Sequence, residues 1–129
     1  MTMLDHISLG VSDLVASGVF YDAALAPLGH ARVLEKGIGF AYGPGPGRVG
    51  MMFWIVGPDA EVDASRGSHV AFSAENPAAV DAFHVAALAA GARDNGAPGL
   101  RPEYSDTYYG AFVLDPDGHK IEAVCRVPA

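Results

Sequence analysis

Three residues of this 129-residue chain are of the types that hold a divalent metal ion while leaving it open to a substrate: His6, His69 and Glu122. Two imidazoles and one carboxylate form a facial triad, with coordination positions left for water or for a ligand that chelates through two oxygens. An ion held this way polarises the bound oxygens as a Lewis acid and stabilises the negative charge that develops on them. The set suits Fe(II), Mn(II), Zn(II), Ni(II) or Co(II) and does not choose among them. A single histidine on a strand is more often a hydrogen-bonded core residue than a ligand. The two histidines here gain weight because they stand at the same place of an internal repeat.

The repeat sets LDHISLGV at 4–11 beside GSHVAFSA at 67–74, with His6 and His69 in register. A helix-start signal follows each segment, Ser12-Asp13 in the first and Asn76-Pro77 in the second, where a polar cap precedes the first turn. Apolar spacing predicts helices over 13–26, with Val15, Val19, Phe20 and Ala23 or Ala24 on one stripe, and over 77–90, with Val80, Phe83, Ala87 and Leu88. Phe20 and Phe83 each follow their histidine by 14 residues, and Gly29 and Gly91 take the place of a C-cap glycine. Past each helix the pattern turns to β: 31–34, 37–42 and 49–56 in the first half, 93–95, 109–114 and 119–127 in the second. The turns are GPGPG at 43–47 and DPDG at 115–118. The expectation is an α+β fold in one domain spanning 1–129: two βαβββ modules, about 1–60 and 66–128, paired into a half-barrel with a concave cleft and the helices outside. The Gly- and Pro-rich stretch 96–107 is left as a loop beside the cleft.

Alternation along a strand then decides which side chains meet. His6, Ser8 and Gly10 share one face and Ile7, Leu9 and Val11 the other; His69, Ala71 and Ser73 likewise oppose Val70, Phe72 and Ala74. In the last strand Lys120, Glu122 and Val124 alternate with Ile121, Ala123 and Cys125. The apolar sets belong against the helices, which turns His6, His69 and Glu122 to the cleft. Ser8, Met52, Trp54, Arg101, Tyr104 and Tyr108 are the candidates for a substrate pocket, the tyrosines together with Tyr109 forming a polar-aromatic lid near Arg101. The same residues would also serve as plain core or solvent-facing loop. His30, His84 and His119 follow a helix end, lie on a helix and follow a turn respectively, and no acid-base residue is assigned.

Composition narrows the partners. Half the residues are hydrophobic and 18% charged, as in an ordinary folded chain. A formal charge of -7 repels nucleic acid and anionic membrane surfaces. No apolar run approaches the ~20 residues of a membrane span, and residues 1–5 lack the basic stretch of a signal segment, so the expected location is cytoplasmic. The single Cys125 has no internal partner for a disulfide.

LDHISL at 4–9 with Asp13-Leu14 and Phe20-Tyr21, GSHVAF at 67–72, and DPDGHKIE at 115–122 together resemble the vicinal oxygen chelate superfamily, the family of glyoxalase I, fosfomycin-resistance transferases, extradiol dioxygenases and bleomycin-resistance proteins. The resemblance covers nearly the whole chain and places His6, His69 and Glu122 at metal-ligand positions. It implies a divalent ion, a small substrate with vicinal oxygens, and a homodimer. Glyoxalase I has a further carboxylate ligand on its fourth strand, where this chain reads MMFWI at 51–55; the repeat puts Met52, or by a slip of one residue Phe53, opposite Glu122. Lyase or isomerase, transferase and ring-cleaving chemistries all fit. The alternative is a metal-free binder of the bleomycin-resistance kind, in which an acidic homodimer sequesters a cationic drug.

Overall fold

A computed structural model describes residues 3–46 and 50–126. The first module runs β1 (His6–Gly10), α1 (Leu14–Leu25), a short 3-10 turn (Ala26–Leu28), β2 (Ala31–Lys36), β3 (Gly39–Gly43) and β4 (Met52–Val56). The second runs β5 (His69–Ser73), α2 (Pro77–Ala89), β6 (Arg93–Leu100), β7 (Tyr108–Leu114) and β8 (Lys120–Arg126). Each module makes a four-stranded mixed sheet, ordered β1-β4-β3-β2 and β5-β8-β7-β6, in which the first strand lies parallel to the last. The α+β class and the two βαβββ modules are thus found. The sheets are open, and β1 and β5 are both edge strands.

Local chemistry accounts for the element ends. The Asp13 carboxylate accepts from the Ala16 N–H at 3.0 Å and the Asn76 carbonyl from the Ala79 N–H at 2.8 Å, so each helix starts on a side-chain cap. Gly29 and Gly91 take φ of 86° and 105°, the left-handed conformation that ends the helical segments at least cost.

Several boundaries and faces differ from expectation. β6 extends through Leu100, so much of the stretch read as a loop is a strand, with register shifts between Asp94 and Gly96 and between Gly96 and Gly99. Bulges of this kind break the alternation by which a strand is recognised. β4 begins at Met52; Gly47 and Val49 of the expected turn and strand, Val127 of the last strand, and the outermost residues of both modules lie outside the described residues. Helix α1 buries Ser17, Gly18, Phe20, Tyr21, Ala24 and Leu25, whereas Val15 and Val19 are exposed. The helix is apolar on nearly every side, so contact with the sheet rather than periodicity selects the buried face. In α2, Val80, Phe83 and Ala87 are buried as expected, but Leu88 is more exposed.

The helices cover one side of the sheets and also touch each other, so a single core runs through both modules, from Phe20, Tyr21, Tyr42 and Phe53 to Phe83, Val113 and Ile121. Phe53 and Phe72 meet edge to face across the boundary, with ring centroids 5.1 Å apart. Polar contacts close the same boundary. The buried Tyr21 hydroxyl donates to the buried Asp115 carboxylate at 2.5 Å, and burial and that neighbour push the Tyr21 phenol well above its ordinary pKa. Asp115 also accepts the N–H groups of Asp117 and His119. Asp117 in turn accepts the Ser12 N–H, and His119 Nε2 donates to the Gly10 carbonyl at 2.7 Å. The DPDGH turn is therefore a clamp on the β1–α1 connection. Among the described residues no helix is long and apolar enough to cross a membrane.

Removing the phenolic hydroxyl deprives a buried carboxylate of one donor, which costs about 1–3 kcal/mol. Tyr21→Phe is expected to lower unfolding stability by that amount in urea, with Asp115→Ala lowering it further because two backbone donors lose their acceptor as well. Equal stability of Tyr21→Phe and wild type would contradict the clamp.

Candidate functional site

The core occupies one face of each sheet, so the opposite face is free to line a cleft. In the second sheet, ladder register arranges that free face in rows: His69 beside Lys120 and Leu114, then Ala71, Glu122, Phe112 and Gly96, then Ser73, Val124, Gly110 and Gly99. Val70 and Phe72 pack on the core, as alternation requires. His69 Nε2 stands 3.0 Å from Glu122 Oε1. Glu122 is 1% exposed and also accepts a hydrogen bond from the Tyr108 hydroxyl. Tyr104 stacks edge-on against Tyr108, centroids 5.0 Å apart. His69, Tyr104, Tyr108, Phe112, Lys120 and Glu122 border one cleft of about 320 Å³.

Gly110 permits this arrangement by its lack of a side chain. A Cβ there would lie 3.1 Å from Glu122 Oε2 and 3.1 Å from the Tyr108 ring, in the gap across which the hydroxyl reaches the carboxylate. Burial and the Glu122 carboxylate push the Tyr108 phenol up to about 12, so it stays a proton donor at any physiological pH.

The first sheet holds the other candidates. His6 is about half exposed and bonds to Asp5 at 2.7 Å, Ser8 is exposed, and Trp54 lies across from Ser8 in the ladder. The ladders correct the expected equivalence. His6 faces Met52 as His69 faces Lys120, and Ser8 faces Trp54 as Ala71 faces Glu122, so Trp54, not Met52 or Phe53, occupies the place of Glu122. The indole spreads over Gly39, where a Cβ would be 3.1 Å from it. Met52 is fully buried and borders a separate, largely apolar cavity of about 430 Å³ shared with Ile7, Tyr42, Phe53, His69 and Phe72.

The structure thus brings together His69, Glu122, Tyr104 and Tyr108, with Arg101 reaching the same face through the Phe112 ring. It keeps His6, Ser8 and Trp54 on the other sheet. His69 borders three cavities and His6 none of them, and among the described residues no three His, Cys, Asp or Glu side chains converge as a metal ion requires. Tyr109 leaves the lid, since its hydroxyl bonds to Asp81 on α2. His84 pairs with Asp94, whereas the Nδ1 of His30 is buried without a partner among the described residues. Phe112 and Lys120 were not singled out as site residues. The signal for Lys120 was its place two residues before Glu122 on the same face, while Phe112 needed the ladder.

A phenol whose pKa rises on folding favours the folded state while it is protonated, so its contribution is complete below about pH 10 and is lost as pH rises through about 12. Between those limits wild type is expected to lose more unfolding stability than Tyr108→Phe, measured by urea titration at stepped pH. Parallel losses would show that Tyr108 and Glu122 are not coupled.

The model of the Glyoxalase/Bleomycin resistance protein/Dioxygenase superfamily matches residues 3–123. A glyoxalase/bleomycin resistance protein from Albidiferax ferrireducens T118 superposes with a TM-score of 0.85 at 34% identity, over 98% of this chain and 100% of that one. A glyoxalase/bleomycin resistance protein/dioxygenase family enzyme from Burkholderia phytofirmans PsJN gives 0.74 at 18% identity, over 98% and 100%. An E144Q glyoxalase I mutant from Zea mays gives 0.71 at 20% identity, over 94% of this chain and 46% of that one, a likeness of fold alone. No curated protein matches the chain. With the pattern matched almost end to end and a solved relative sharing a third of its residues, the chain belongs to the glyoxalase, bleomycin resistance protein and dioxygenase superfamily.

Proposed function

We propose that this protein is a divalent-metal enzyme acting on a small substrate with two neighbouring oxygens, its ion held by His69 and Glu122 of one chain and His6 of a second copy. The observation that carries the reading is the pair itself: an imidazole nitrogen 3.0 Å from a buried carboxylate, on the wall of an open cleft. A neutral imidazole and a carboxylate are a suitable donor set for these ions. One chain offers two such donors at this place, and the half-exposed His6 on the free face of the other sheet is the remaining member of the triad. A homodimer in which the first sheet of one copy faces the second sheet of the other brings the three together.

When bound, the ion polarises the two substrate oxygens and stabilises charge on them. Glu122 supplies the negative charge, held in place by the Tyr108 hydroxyl. Tyr104 and Tyr108 close one side of the cleft over the ligand and exclude water. Trp54 stands where a fourth-strand carboxylate would, so the protein has no acid-base group at that position, which favours transferase or ring-opening chemistry over a glyoxalase isomerisation. A second reading, a metal-free binder of drug-like molecules, draws on the largely apolar cavity of about 430 Å³.

Elemental analysis of protein purified without chelator is expected to find about one ion per chain, as one facial triad predicts, and to lose it in His6→Ala, His69→Ala and Glu122→Ala. Mixing refolded His6→Ala and Glu122→Ala chains is expected to restore about half of the sites in each mixed dimer, because one cleft then receives all three ligands. Binding unaffected by His6→Ala, or no recovery on mixing, removes the shared site; no ion at useful affinity in wild type removes the metal reading and leaves the binder.

A further inference from the structure

Acidic residues outnumber basic ones 15 to 8 in this chain, yet among the described residues Arg32 is the one Lys or Arg paired with a carboxylate, so what singles out a cation here is where it is held. In the first module Arg32 is paired with Asp22 and Glu35. On the free face of the second sheet, Lys120 and Arg101 are not paired with any carboxylate among the described residues. Both instead lie over one ring, the Lys120 ammonium 4.9 Å and the Arg101 guanidinium 5.5 Å from the Phe112 centroid. Phe112 stands directly across the ladder from Glu122, and Lys120 directly across from His69.

The position of Arg101 is built rather than incidental. Its side chain folds back along bulged β6, where Nη2 donates to the Ala97 carbonyl at 2.7 Å and Nη1 to the Leu100 carbonyl at 3.5 Å. Two glycines make room for it: a Cβ at Gly99 would lie 3.2 Å from Nη1, and one at Gly96 would lie 3.4 Å from Nη2 and 3.0 Å from the Phe112 ring. Carbonyl contacts hold the guanidinium without neutralising it, and the apolar ring beneath both cations strengthens their field by excluding water. Guanidinium and ammonium groups held in this way bind oxyanions through charge-assisted hydrogen bonds.

We infer that Lys120 and Arg101, set on Phe112, form an anion-binding arm of this cleft, so that its substrate is a small organic oxyacid, with a carboxylate or phosphonate group in addition to the oxygens that face His69 and Glu122. The inference rests on the reading of this cleft as the substrate site. It gives a sign to the ligand that the whole-chain charge of -7 would oppose, since a local pair of cations overrides the global field at short range.

The test uses metal-free protein, so that its outcome does not depend on the ion. Malonate, phosphonoacetate and the uncharged malonamide are titrated calorimetrically against wild type, Lys120→Met, Arg101→Met, Lys120→Arg and Lys36→Met, with thermal unfolding confirming that each variant is folded. Malonate or phosphonoacetate is expected to bind wild type and malonamide not; the better of the two anions tells carboxylate from phosphonate. Lys120→Met and Arg101→Met should each weaken binding about tenfold or more, the size of one charge-assisted contact, while Lys120→Arg and the distant Lys36→Met retain it. Equal binding of malonamide, no binding of either anion to wild type, or affinities unchanged in both methionine variants would overturn the inference. A loss of ion binding in Glu122→Ala with the anion response intact would leave the arm standing, and the reverse pattern would leave the metal site standing without it.

Discussion

A carboxylate buried at the junction of the two modules constrains the rest of the molecule. Asp115 is 3% exposed, and a carboxylate in that position needs hydrogen-bond donors around it. One of them, the Tyr21 hydroxyl, comes from the helix of the other module, 94 residues away in the chain. The same turn takes the Ser12 N–H onto Asp117 and gives the Gly10 carbonyl the imidazole of His119. The end of β1 is thereby tied to the start of β8. The strand that carries His6 and the strand that carries Glu122 cannot shift against each other without exposing that carboxylate or stripping it of donors.

With the helices drawn together under this clamp, the apolar faces of both sheets are spent on one core, and the opposite faces are left to chemistry. The period of two along each strand does the sorting. Ile121 and Ala123 go inward while Lys120, Glu122 and Val124 line the free face. Glu122 can be almost wholly buried there because neighbours cover it: Tyr108 reaches it past Gly110, and Phe112 stands beside it under two cations. A carboxylate held by an imidazole and a phenol keeps its orientation before any ligand arrives, which is the preorganisation that site chemistry depends on.

The two modules share a plan and have diverged where the site is made. Position for position in the ladders, Trp54 in the first sheet answers to Glu122 in the second, and Met52 to Lys120. The first sheet thus presents an aromatic wall with one histidine, and the second presents the carboxylate, the other histidine and the unpaired cations. Such a division leaves the free face of one sheet largely apolar and that of the other charged.

Much of this was readable in the residues, because repeats, caps and alternation are local. The paired LDHISLGV and GSHVAFSA segments announced two modules, Asp13 and Asn76 announced the helix starts, and the HKIE strand placed Glu122 away from the core. The buried face of α1 was not readable, since a helix apolar all round takes its orientation from what it packs on. The bulges of β6 hid a strand inside an apparent loop, and a ladder register, which shifts by one residue without changing composition, was needed to put Trp54 rather than Met52 or Phe53 at the place of Glu122. The sequence by itself determined the modules, their order and which side chains leave the core, because those follow from neighbours in the chain. Only the tertiary structure decided which of them meet, because Tyr21 with Asp115, His69 with Glu122, and His6 apart from both depend on how two open sheets pack across a junction that no local pattern encodes.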